Sequence, residues 1–312
     1  IFVAISLLII LSYRYIPYYN LSHQHYYQLF YLLVIILLLS VFFLPSYKKI
    51  WLSLGGFSFQ PSELARVILV ISLSLFISKY GPSLKHPIIL LSSFLLILPF
   101  VLLIGLQPDF GMVLIFFLTW LITIIIFLDF KQALKIFLLI FLLALLGWFF
   151  VLKDYQKERI LTFIDPSRKP LEEGYNLQQL KITIGSAGFW GKGFGMGTQA
   201  KLGFLPSAHT DFILASFIEE RGFLGLLFYV ILFVLLLNNL IKEAEFIKNP
   251  VGYVYTFILS THLGLRFIIS LMINLGLFPI IGLSVPFLSY GGSHLISDTL
   301  MLAIWYNFRY SQ

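Results

Sequence analysis

Read as apolar and polar positions, the chain alternates long hydrophobic runs with short polar interruptions from end to end. Crossing a bilayer takes about 20 apolar residues. Runs at 26–44, 64–77, 88–106, 110–128, 133–152, 224–240 and 253–275 meet or approach that length, with a partial run at 1–12 and a short one at 296–308. These nine segments predict an all-α fold, a polytopic transmembrane helical bundle. One long polar loop interrupts it at 153–210. The runs continue without a break in composition, so one integral membrane domain over 1–312 is expected. The chain opens with Ile1 inside an apolar run, so a truncated N-terminus is expected.

Composition sharpens this. The chain is 59% hydrophobic and 11% charged, with mean hydropathy +0.95, whereas soluble domains are about a quarter charged. With no cysteine, disulfides and thiolate metal sites are excluded. The net charge of +7 matters through its distribution, and no nucleic-acid partner is expected. Lys and Arg in short loops favour the cytoplasm. One alternate set of loops carries Arg14, Lys79, Lys85, Lys131, Lys135, Lys242, Lys248 and Arg309, against only Lys48 and Lys49 in the other. With the first set inside, residues 60–63, 107–109, 153–210 and 276–293 all face outward.

The unusual polar motifs gather on that outer face. Gln60-Pro61-Ser62-Glu63 opens a span: proline suits a first helical turn, Gln60 could cap, and Glu63 suits the positive helix end. A carboxylate beside an apolar span also tends to face a cavity, so Glu63 reads equally as a site residue. Asp109, after Gln107-Pro108, reads first as the cap of the next helix. In the long loop, 153–159 starts an amphipathic interfacial segment and Asp165-Pro166 marks a turn. Gly191-Lys192-Gly193-Phe194-Gly195-Met196-Gly197 is either a flexible hinge or a backbone nest for an anion such as pyrophosphate.

His209-Thr210-Asp211 precedes the next apolar run. Thr210 could be an N-cap and Asp211 a first-turn acid. Glu219 and Glu220 follow eight and nine residues on, and Glu219 would share a helical face with Asp211 after about two turns. Such a density of acids at a span mouth, opposite Lys192 and Lys201, points to acid/base or cation chemistry. His209 reads equally as structural or functional, and no second histidine stands at metal spacing. In 276–293, Pro279, Gly282, Pro286, Gly291 and Gly292 break any helix. Broken backbone at membrane depth lines a cavity or lies buried in protein, with Ser289, Tyr290 and Ser293 as the polar lining.

Six ordered motifs make the chain resemble the shape, elongation, division and sporulation family, which includes RodA and FtsW. They are Phe59-Gln60-Pro61-Ser62-Glu63, Gln107-Pro108-Asp109-Phe110-Gly111, Gly191-Lys192-Gly193 with Gly197-Thr198-Gln199, Leu205-Pro206 with His209-Thr210-Asp211-Phe212-Ile213, Glu219-Glu220-x-Gly222, and the segment from Pro286 to Ser293. Asp154-Tyr155-Gln156, Gly174-Tyr175-Asn176 and Gly197-Thr198-Gln199 look more like RodA.

The resemblance implies ten spans, the bacterial cell membrane, and an inverting peptidoglycan glycosyltransferase that polymerises lipid II at the outer face during cell-wall elongation. It implies a class B penicillin-binding protein as partner, beside other elongation-machinery membrane proteins, and Asp211 as the catalytic carboxylate. Gln60, Glu63, Lys192, Gln199, Lys201, His209, Thr210, Glu219, Glu220, Ser289 and Ser293 are the candidate substrate-binding residues. Lys192, Lys201 or a divalent cation (Mg or Mn) would stabilise the leaving group. Ser58, Gln179, Ala187, Ser207, Arg221 and Ser270 depart from the family pattern, and none touches the Asp211 motif. A lipid II flippase and a non-catalytic scaffold are the competing readings.

Overall fold

The computed structural model describes residues 2–11, 24–43, 50–54, 57–150, 154–169 and 173–310. The expected apolar segments lie on helices α1 (Phe2–Leu11), α2 (Gln24–Phe43), α3 (Pro61–Tyr80), α4 (Pro87–Leu106), α5 (Phe110–Ile126), α6 (Phe130–Phe150), α10 (Ile213–Ala244), α11 (Pro250–Asn274) and α12 (Gly292–Tyr310). The long loop contributes α7 (Asp154–Ile164), α8 (Glu173–Gly185) and the single turn α9 (Thr198–Lys201). Five of these helices are long and apolar enough to cross a membrane, with 2–11, 27–43 and 110–126 shorter apolar helices. The protein is a polytopic helical membrane bundle.

One feature among the described residues was not expected: a hairpin of β1 (Leu52–Leu54) and β2 (Phe57–Phe59), antiparallel with Leu52 opposite Phe59. Helix starts follow their local chemistry. Pro61 and Pro87 occupy first-turn positions, where a missing N–H costs nothing. Asp109 caps α5 by accepting from Met112 N, as expected. Asp165 caps a 3₁₀ turn, Pro166–Arg168, in the same way, and the hydrogen bonds from Ser167 hold its carboxyl below the usual carboxylate range.

The chain divides into two compact units, the first being Ile1–Phe127, Leu235–Arg266 and Gly291–Gln312, the second Leu128–Val234 and Phe267–Tyr290. In the first, α3 packs against α2, α4 and α12, and α1 lies on α12. Leu69, Leu73, Ile97, Phe100, Ile104 and Phe116 are fully buried there. Tyr31 meets Phe100 edge-on at 4.9 Å between ring centres, and Tyr255 donates to Met301 O at 3.0 Å. In the second, Leu214, Ile218, Leu226 and Val285 form the core. Phe233 stacks on Phe267 at 4.1 Å, and Tyr229 donates to Pro286 O at 2.7 Å. Helix α10 is broken at Gly222, which has φ 71°. A Cβ there would run into Phe189 O and Gly191 N, and one at Gly191 would meet Glu220 O, so close backbone approach demands glycine at both positions.

Candidate active site

Asp211 sits in the turn before α10, which begins only at Ile213. Thr210 is therefore not the N-cap, nor Asp211 the first-turn acid, that the sequence suggests. Thr210 instead donates from Oγ1 to Ser207 O at 3.3 Å. The turn closes on itself through Thr210 N and Phe212 N, both donating to Ser207 O. Ser207 has φ 51°, a left-handed conformation that a non-glycine residue adopts at a cost.

Four side-chain or main-chain clamps fix this turn. Asn274, fully buried on α11, donates to Asp211 O at 2.9 Å and accepts from Ala215 N at 3.0 Å. Ser289 donates to Thr210 O at 2.8 Å while accepting from Val285 N. Tyr290 N donates to His209 O at 2.9 Å, and Ser216 Oγ donates to Ala208 O at 3.0 Å. The broken segment 276–293 thus supplies brackets for Asp211 as much as lining. Gly282 lies beside the carboxylate, where even a Cβ would reach only within 3.8 Å of Oδ2. Asp211 is half-buried, His209 exposed and Lys201 exposed. A carboxylate held by its main chain and partly open to solvent suits proton abstraction.

Beyond the glycines, the first turn of α9 gathers main-chain donors on an anion, and that anion is the protein's own Glu219. That carboxylate is completely buried and accepts from Lys192 Nζ at 2.6 Å, Thr198 N at 3.0 Å, Thr198 Oγ1 at 3.0 Å and Gln199 N at 3.1 Å. Lys192 N and Gly193 N donate in turn to the carbonyls of Glu219 and Glu220. Lys192 is thereby committed to Glu219: a buried carboxylate needs donors and a counter-charge, and Lys192 supplies both. The expected shared face of Asp211 and Glu219 is corrected, since Asp211 precedes the helix. Glu220 is half-buried, and Arg221 lies over the Phe194 ring at 5.0 Å. Gln199 Oε1 is buried with no hydrogen-bond partner among the described residues.

Gln60, Glu63 and Ser293 belong to the first unit. Gln60 does not cap α3 with its side chain; Nε2 donates to Asp109 Oδ2 at 2.8 Å, and its N–H donates to Ser293 Oγ at 3.3 Å. Glu63 contacts His294 Nδ1 at 2.5 Å and pairs with Arg66. Arg66 reaches Asp298 Oδ1 at 2.9 Å, and the same oxygen takes Arg266 at 2.5 Å. Arg66, Arg266 and Asp298 have no exposed surface. Deeper on α11, His262 contacts Thr119 at 3.0 Å.

Sequence reading concentrated on the outer motifs and missed this network. The signal was present as charges inside apolar helices, which face partners rather than lipid. Among the described residues no three His, Cys, Asp or Glu side chains converge as a cation cage.

These features can be set beside known proteins. The peptidoglycan glycosyltransferase MrdB of Escherichia coli K12 is 36% identical over 274 residues, spanning 85% of this chain and 73% of that protein. The probable peptidoglycan glycosyltransferase FtsW of Geobacter sp. strain M18 is 35% identical over 268 residues, spanning 82% and 70%. A chain from a peptidoglycan synthase complex, studied for its structural coordination of polymerization and crosslinking, covers all of this chain and 89% of its own length at TM-score 0.81 and 27% identity. The rod shape determining protein RodA of Thermus thermophilus shares the fold at TM-score 0.68 and 24% identity, over all of this chain and 87% of its own. The FtsW/RodA/SpoVE family model, described as cell cycle protein, matches residues 1–312. With that match along its whole length, the chain belongs to the FtsW/RodA/SpoVE family.

Proposed function

We propose that this protein is a peptidoglycan glycosyltransferase of the cell membrane, with Asp211 as its general base. The family and relatives named for that activity support the reading. The observation that carries the assignment to Asp211 is its turn, clamped by Asn274, Ser289, Tyr290 and Ser216 while the carboxylate stays half-open.

The substrate we propose is lipid II, a disaccharide-peptide on undecaprenyl pyrophosphate, polymerised at the extracytoplasmic face. The acceptor sugar's 4-hydroxyl attacks the donor's anomeric carbon. Its proton passes to Asp211, the new C–O bond forms with inversion, and the bond to pyrophosphate breaks with its electron pair leaving on undecaprenyl pyrophosphate. A sugar hydroxyl is a weak nucleophile, and a positioned base contributes roughly 10²–10⁴ in rate. Lys201 and His209, both exposed, are the groups we assign to the leaving pyrophosphate, as hydrogen-bond donors. Preorganised donors act where negative charge develops. A class B penicillin-binding protein is the proposed partner, in keeping with the synthase-complex chain that shares this fold.

One observation favours transport as a second reading: charged residues lie inside helices, at Arg66, Arg266 and Asp298. They pair with one another, which fits a structural lock better than a pathway. Purified full-length chain in liposomes with labelled lipid II separates the two. Glycan polymer from wild type and none from Asp211→Ala supports the enzyme. Polymer from the alanine variant overturns the general base, and transbilayer movement of lipid II without polymer overturns the enzyme.

A further inference from the structure

The second unit turns large apolar side chains outward from residues 189–196, the tip of the 188–204 loop, to which none of the proposed chemistry is assigned. Within residues 188–204, Trp190 is 75% and Phe194 79% exposed, with Phe189 and Met196 also exposed. Isolated exposed apolar residues are ordinary, but a group of large ones marks an interaction surface. We propose that the tip of this loop is seated in the bilayer interface, with Trp190 and Phe194 as anchors and the surrounding lipid as the occupant.

Three observations choose lipid over other occupants. First, the loop is stitched to the break in α10: Phe223 N donates to Gly188 O and Leu224 N to Phe189 O, each at 3.2 Å. Second, that break sits at the expected edge of the hydrocarbon. Residues 223–244 of α10 rise about 33 Å at 1.5 Å per residue, close to the roughly 30 Å hydrocarbon thickness. Third, the exposed face is continuous with the span. Phe223, Leu227, Phe228 and Ile231 are exposed along α10, as the lipid-facing side of a transmembrane helix is. Phe189 carries that face onto the loop, 6.2 Å from Phe223 and 5.2 Å from Trp190 between ring centres.

The chemistry of the patch suits an interface rather than the acyl core. Tryptophan and other aromatic rings favour the headgroup level, where one edge is apolar and the other wet. Arg221 over the Phe194 ring sets a cation beside the tip, as contact with lipid phosphates would require. The loop is also stiff, because Glu219 binds residues 192, 198 and 199 from within. Little ordering is then left for the membrane to impose on insertion. Anchoring of this kind would fix the height of the adjoining turn at 207–212 relative to a lipid-linked substrate.

The natural absence of cysteine makes the test direct. Trp190→Cys, Phe194→Cys, Phe228→Cys and Lys201→Cys are each labelled with an environment-sensitive fluorophore, in full chain reconstituted in phosphatidylcholine nanodiscs. Nitroxide-labelled phospholipid and aqueous iodide are the two quenchers. The expected result is blue-shifted emission at 190 and 194, quenched by lipid nitroxide at least threefold more than at 201, with 228 as the lipid-facing reference. Iodide quenching at 190 and 194 equal to that at 201 would overturn the proposal. Protection from both quenchers would overturn it equally, because protein rather than lipid would then cover the tip. Unmodified chain, photolabelled from a diazirine phospholipid, gives the same answer without substitution: label in the 188–204 peptide supports seating, and label confined to the spans refutes it.

Discussion

Replacing Glu219 with Gln isolates what holds the glycine loop together. The carboxylate is fully buried and gathers one ammonium, three main-chain N–H groups and a hydroxyl. Gln keeps the shape, removes the charge, and turns an NH₂ donor toward groups that are themselves donors. Hydrogen bonds to a charged group contribute about 1.5–3 kcal/mol net, and breaking a buried ion pair costs about 3–5 kcal/mol. Lys192 is 26% exposed, so water recovers part of its solvation and the lower end applies, about 3 kcal/mol. At about 1.4 kcal/mol per tenfold, local opening becomes roughly 100-fold more frequent. Hydrogen exchange by mass spectrometry on full chain in nanodiscs reads this from peptides covering 191–201. Lys192→Met together with Glu219→Gln removes the stranded ammonium and should recover part of the protection. If those peptides exchange within threefold of wild type in the Gln variant, Glu219 is not the loop's organising group.

Asn274→Ala strands Asp211 O and Ala215 N, each at a cost of about 1–3 kcal/mol, and should lower the polymerisation rate constant at least tenfold; unchanged turnover on lipid II would show that this clamp does not position Asp211. Asp298→Asn leaves Arg66 and Arg266 without their shared carboxylate, at about 3–5 kcal/mol, seen as a lower Tm in detergent. Adding Arg266→Gln should return most of that Tm, and no recovery would contradict a charge-balanced network. Gly222→Ala drives a Cβ into the backbone of residues 189 and 191, and limited proteolysis should find the loop cleaved where wild type resists.

The fold was legible because bilayer thickness imposes a length on every apolar run, and that signal is local. Asp109 as a cap was legible for the same reason. The roles of Lys192 and Glu219 were not, although the sequence showed both a nest and a nearby acid. They lie 27 residues apart, and only the backward fold of the loop onto the kink at Gly222 brings them together. The Glu63, Arg66, Asp298 and Arg266 network joins residues from three helices. Asp298 stands apart from both arginines in the sequence, and nothing local announces the pairing. Thr210 misled because an N-cap residue and a turn residue share the same chemistry, and here tertiary brackets from Asn274 and Ser289 selected the turn.

The decisive measurement is polymerisation of labelled lipid II by Asp211→Asn, an isosteric change that keeps the clamped turn and removes the base. Turnover should fall by roughly 10²–10⁴, with lipid II binding to the variant unchanged in the same nanodiscs. Turnover within tenfold of wild type would mean that some other group takes the hydroxyl proton.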